Sequence, residues 1–229
     1  MLQPFGDGLL IAPGDPVSVA GFPYPTRMAV LRLGDGGLAL WSPVRLTAER
    51  RAAVSALGPV RRLIAPNALH HLFLADWAAA FPDAEIHAAP GLAAMRPDLT
   101  IAAELTEAPD PGGGGAVDVA LFRGNLITTE AALIHRPSRT ALFCDLLQRI
   151  DPATLRGWRR AVARLDLMCE AEPAVPRKFR LAFLRRAPTR AALARVLEAA
   201  PERVLMAHGD PVARDGTAFL RRAFAFLGD

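Results

Sequence analysis

Apolar residues along the 229-residue chain fall into two rhythms. One is a series of short, mostly apolar runs bounded by Gly, Pro or charged positions, the pattern of strands buried on one or both faces. "GLLIAPG" (8–14) is the first such run. "MAVLRL" and "LALW", split by Gly-Asp-Gly-Gly at 34–37, predict a hairpin over 26–43. Further strands are predicted at 60–66, 84–90 and 116–122, then as a hairpin around "RPSR" (136–139), and finally at "RVLMAH" (203–208). The stretch 98–105 reads as a strand or an edge segment.

The second rhythm has the 3.6-residue period of amphipathic helices. Thr47 is placed to cap a helix over 48–57, which Gly58-Pro59 ends. A helix over roughly 71–81 is closed by Pro82, and a short one is predicted within 90–97. From 152 onward the chain turns helical, with a final helix over 216–227. Alternation of helix and strand over 48–90 with short connections predicts an α/β fold. "EAPDPGGGGA" (107–116) reads as a flexible surface loop, not a domain boundary, so the expectation is one domain over 1–229.

Composition narrows the class. Hydrophobic residues make up 52% of the chain, enough for a folded core, and no apolar run reaches the roughly 18 residues that span a bilayer. "MLQPFGDGLL" lacks the basic and apolar segments of a signal peptide. Cys144 and Cys169 have no CxxC spacing and read as buried thiols, so the expected location is a reducing cytoplasm. The net charge is only +4, and the basic residues are scattered arginines with a single lysine, Lys178. The densest basic stretch, "RKFRLAFLRR" (177–186), interleaves apolar positions as a solvated helix face does. The expectation is against nucleic-acid binding and against a membrane partner, with a small-molecule substrate as the candidate ligand.

Chemistry concentrates at strand ends. Of the five histidines, His70 and His71 follow the strand 60–66, and His208 ends the run 203–208; Asp145 follows "TALFC". In layered α/β proteins, polar residues just past the C-terminal ends of strands line the ligand crevice. Imidazoles with a carboxylate suit Zn²⁺, Fe or Mn²⁺, and an open coordination position acidifies bound water for hydrolysis. Singly, each residue has a plainer reading: His70 in a loop, His71 at a helix start, Asp145 as a cap, His208 in a turn-forming hydrogen bond. His87 and His135 read as structural, and Glu130 as a substitute ligand or an Arg partner.

The order of elements resembles the metallo-β-lactamase fold superfamily over about 10–215. "ALFCDLL" and "RVLMAHGDP" are its most specific parts, and "PNALHHLFLADW" with "HRPSRTALFCDL" looks like an uncharacterised branch. That resemblance implies a four-layer αββα sandwich. It also implies a site built from HxHxDH, a further His, a bridging Asp and a terminal His. By position, His70 and His71 match the DH pair, Asp145 the bridging aspartate and His208 the terminal histidine. The HxH half is missing: Pro66 and Ala68, or Asn67 and Leu69 with a one-residue shift, stand there, and no His falls near Leu126–Thr129. Three functions follow. The first is a metal-dependent hydrolase with one divalent ion, Zn²⁺ foremost, on His70, His71, Asp145 and His208, with Asp145 and His208 in the catalytic set. The second is a non-catalytic binding module holding no metal, and the third is nucleic-acid processing. The substrate class stays open among esters, thioesters, lactones, amides and phosphoesters.

Overall fold

The structure, a computed structural model, describes residues 1–108 and 114–228. Part of the glycine-rich loop at 107–116 therefore lies outside the described residues.

Among the described residues, eleven strands form two sheets. The larger runs in chain order: β1 (Gln3–Gly6), β2 (Leu9–Val19), β3 (Phe22–Arg32), β4 (Leu38–Trp41), β5 (Val60–Ala65), β6 (Glu85–Ala88) and β7 (Ile101–Glu104). Pairing is antiparallel from β1 to β4 and parallel from β4 to β7. The predicted hairpin is β3–β4, with Ala29 opposite Trp41, and 98–105 contains the edge strand β7. The smaller sheet has the order β11 (Arg203–His208), β10 (Thr140–Gln148), β9 (Glu130–His135), β8 (Val117–Phe122), with only β10–β11 parallel.

Period-2 alternation sorts the strand residues into three apolar layers. Ala39 and Trp41 of β4 face the smaller sheet, as Leu142 and Cys144 of β10 and Leu205 and Ala207 of β11 face the larger one. Leu38 and Leu40 point the other way, onto Val54 of α1 (Ala48–Ser55) and Leu74 and Trp77 of α2 (Leu74–Ala80). Phe143 and Met206 point outward onto Phe179 of α5 (Arg177–Ala182), Val196 of α6 (Arg186–Glu198) and Phe219 of α7 (Gly216–Ala223). The described residues also form α3 (Leu92–Met95) and α4 (Trp158–Leu165). Strands covered on both faces read as unbroken apolar runs, which is why the central ones were legible. The result is the expected αββα sandwich. No helix among the described residues is long and apolar enough to cross a membrane.

Thr47 caps α1 as its position predicts, its hydroxyl accepting from the Arg50 amide at 3.2 Å. The helix predicted over 71–81 begins only at Leu74, because 67–72 is taken up by a side-chain-stabilised turn at the site.

Candidate metal centre

The two sheets are stitched together where β5 ends. The Pro66 carbonyl accepts from the Ala131 amide of β9 at 2.7 Å. The next residue, Asn67, is fully buried and does two jobs. Its Oδ1 accepts from the amides of Leu69 (2.9 Å) and His70 (3.1 Å), closing a tight Asx turn. Its Nδ2 donates to Asp145 Oδ2 at 2.7 Å and faces Glu130 Oε2 at 3.3 Å. The turn sends His70 towards Asp145 and His71 towards Arg96.

Asp145 sits on an irregular stretch of β10. Between Phe143 and Gln148 that strand advances five residues while β11 advances two, from Met206 to His208. The bulge strips three amides of ladder partners, and the buried Glu130 carboxylate accepts from all three: Cys144 (2.8 Å), Asp145 (2.7 Å) and Leu146 (3.0 Å). Burial pushes the Glu130 pKa up to about 7, with the Asp145 charge adding and the three amides pulling back. Glu130 is thus a backbone clamp. It is neither a ligand nor an Arg partner, because its oxygens are already engaged.

Three side chains converge at the sandwich rim, each imidazole Nε2 meeting a different oxygen of Asp145. His70 Nε2 lies 3.0 Å from His208 Nε2 and 3.4 Å from Asp145 Oδ2, and His208 Nε2 lies 3.4 Å from Asp145 Oδ1. These three residues form a group able to hold a metal ion. A tetrahedral ion with bonds of about 2.0–2.1 Å separates its ligand atoms by about 3.4 Å, close to the distance of each Nε2 from its own Asp145 oxygen, while the two Nε2 atoms stand nearer at 3.0 Å. The orientation fits. His208 Nδ1 donates to the Pro25 carbonyl at 2.6 Å, which leaves Nε2 as the ring nitrogen facing the common point. His70 Nδ1 is 2.8 Å from the Ser42 hydroxyl. Asn67 and Gln148 each donate to one Asp145 oxygen, Gln148 at 3.0 Å. Burial alone would raise the Asp145 carboxyl, but His70, His208 and Asn67 outweigh it and hold the pKa below the usual range. Burial drives the His70 pKa down to about 4, so this ring is neutral at pH 7.

Of the four residues expected at the metal, the structure therefore unites His70, Asp145 and His208. His71 is not among them. It lines the same cavity as the other three, but its Nδ1 accepts from Arg96 at 2.8 Å, and burial followed by the Arg96 charge lowers its pKa. Two consecutive side chains leaving one turn diverge, so the doublet supplies one inward imidazole. His87 pairs with Glu85 at 3.0 Å, and His135 is buried against Ser138 at 2.8 Å, both away from the cluster as expected. Sequence reasoning missed Asn67, Ser42 and Gln148. The Oε1 of Gln148 is buried without a partner while its Nε2 holds Asp145. Asn67 had one visible signal, its place in the shifted HxH register.

The cluster floors a cavity of about 460 Å³. Residues 17–101 match a family described as a domain of unknown function (DUF4336). Curated protein sequences give no match. Among solved structures, a metallo-β-lactamase from Pontibacter korlensis superposes with a TM-score of 0.65 at 12% identity, over 100% of this chain and 99% of that one. The DIM-1 metallo-β-lactamase exposed to ceftazidime gives 0.68 at 13% identity, over 99% of this chain and 95% of that one. This chain has the metallo-β-lactamase fold. The metal-soaked Flv1 flavodiiron core from Synechocystis sp. PCC6803 is similar as well, at 0.65 and 15% identity, with 99% of this chain matching 60% of that one. Beside Asp145, the Asn67 amide and the Glu130 carboxylate are engaged in hydrogen bonds.

Proposed function

We propose that the protein is a hydrolase-like enzyme working with one divalent ion, Zn²⁺ foremost, held by His70, Asp145 and His208. The observation carrying this reading is the convergence of three ligand atoms at the floor of an open pocket. When bound, such an ion supplies Lewis acidity, polarising a carbonyl and acidifying water. The residues around it do the rest. Pro25 fixes the His208 tautomer, and Asn67 and Gln148 orient Asp145, the Asn67 bond also helping to keep it ionised. Hydrolysis then adds water across an acyl C–O, C–S or C–N bond, giving the acid and the released alcohol, thiol or amine.

Elemental analysis of untagged protein tests the reading. About one ion per chain is expected, with affinity falling by 100-fold or more in His70→Ala and His208→Ala and staying within about threefold in His71→Ala. Retention of the ion by His208→Ala, or its loss in His71→Ala alone, would overturn the assignment.

A second reading has its own support. With His70 protonated on Nε2, the cluster is satisfied without an ion: Ser42 donates to His70 Nδ1, His70 Nε2 to His208 Nε2, and His208 Nδ1 to Pro25. A non-catalytic binding module would use the same pocket in that state. Full stability of chelator-treated protein, with no Tm change on adding Zn²⁺, is the outcome that favours it.

A further inference from the structure

We infer that the pocket takes an uncharged aliphatic acyl group, so that the substrate is a neutral ester, thioester or lactone with its carbonyl at the His70–Asp145–His208 cluster. This rests on the proposed reading for its chemistry, but the binding part stands without it. The walls rising from the cluster are apolar, and they continue into a rim that is open to solvent. Val19 of β2, Leu72 of the Asn67 turn and Met95 of α3 line the pocket, yet are 58%, 61% and 53% exposed. Leu69 and Ile127 add to the same rim. Isolated exposed apolar residues need no explanation, but five on the lip of one cavity, drawn from four chain segments, mark a surface that something apolar covers.

Charge narrows the class. Among the described residues lining the pocket, the fixed charges are Asp145 and Lys178. Lys178 is not free to recognise an anion. Its Nζ is 2.9 Å from Asp166 Oδ2 and lies over the Tyr24 and Phe179 rings. Arg96, next to His71, is held by both oxygens of Asp98 at 2.8 and 2.6 Å. A phosphate or carboxylate on the substrate would enter an apolar wall without a counter-charge, at a desolvation cost that an alkyl chain avoids. A volume of about 460 Å³ falls within the usual range for small-molecule pockets, about 300–1,000 Å³.

The experiment uses chelator-treated full-length protein and the neutral fluorophore N-phenyl-1-naphthylamine. Saturable binding of one probe per chain is expected, displaced by methyl octanoate and at least about tenfold more weakly by octyl phosphate. The double variant Leu72→Asp/Met95→Asp, which alters only exposed side chains, should bind the probe about tenfold more weakly with an unchanged Tm. Val162→Asp, on an exposed apolar position of α4 outside the pocket, should bind it like the wild type. In the Zn²⁺-loaded protein, kcat/KM for 4-nitrophenyl esters should climb by about two- to fourfold per added methylene from acetate to octanoate. Non-saturable probe binding, equal displacement by octyl phosphate, or a loss caused by Val162→Asp and not by the rim variant would each overturn the inference. If the probe behaves as expected but no ion binds, the pocket assignment stands and the hydrolase reading falls.

Discussion

At the scale of single residues, the centre is a balance between a buried base and a buried acid. His70 is pushed down to about 4 and Glu130 up to about 7, both chiefly by burial. Their effects on stability have opposite signs. Between pH 6.5 and 4 the unfolded His70 takes up a proton that the folded one refuses, so folding is weakened as pH falls through that window. Between pH 4.5 and 7 the folded Glu130 holds a proton that the unfolded one releases, so folding is weakened as pH rises. In chelator-treated wild type the two slopes offset over about pH 4.5–6.5. Glu130→Gln should expose the His70 slope, with Tm dropping as pH goes from 6.5 to 4.5. His70→Asn should expose the other, with Tm dropping from pH 4.5 to 7. Thermal melts of both variants across this range check the prediction, and slopes of the same sign would refute it. The places of His70 and His208 at or past strand ends were legible from the apolar runs before them, whereas Asp145, expected after the run "TALFC", lies within β10, which continues to Gln148. Which member of the His70–His71 doublet points inward was not, because it depends on the Asn67 turn, and an Asx turn leaves no periodic trace in sequence.

Elements act on the site through their irregularities. β10 bulges where Asp145 must leave the sheet, and Glu130 of the neighbouring β9 takes up the freed amides. A run such as "TALFCDLLQ" is apolar whether or not it bulges, so its existence as a strand was readable and its break was not. β11 ends with comparable constraint. Gly209 follows His208 at φ +132°, and a Cβ there would stand 2.8 Å from the Arg149 carbonyl oxygen. Gly209→Ala must therefore shift the end of β11. We expect a loss of about 1–3 kcal/mol in stability together with at least tenfold weaker Zn²⁺ binding, read by denaturant melts and calorimetric titration. Thr47→Ala provides the contrast. It removes a cap worth about 1 kcal/mol at the N-terminus of α1 and should leave Zn²⁺ affinity unchanged. If both variants weakened Zn²⁺ binding equally, general loosening would replace local geometry as the explanation.

Across the whole molecule, arginine is used as mortar more than as charge. Arg27 of β3 donates to the Met206 and Gly209 carbonyls beside His208, Arg180 to Val175, Arg190 to Leu227 and Arg195 to Glu107. A guanidinium fork bridges backbone carbonyls in this way better than an ammonium, which gives the bias towards Arg a structural meaning. The same view shows what an ion would do. His70 hangs from the end of the larger sheet, while Asp145 and His208 belong to the smaller one. A shared ion would clamp the two sheets together, so binding free energy becomes folding free energy for the sandwich as a unit. With free Zn²⁺ at 100 times its Kd, the unfolding free energy should rise by about 2.7 kcal/mol. Circular dichroism and tryptophan fluorescence should report this as one coincident transition, because Trp41 lies between the sheets and Trp77 of α2 is buried against the outer face of the larger one. His208→Ala should abolish the rise without splitting the transition. A rise that persists in that variant, or one seen only by fluorescence, would mean that the ion binds elsewhere and leaves the two sheets unlinked.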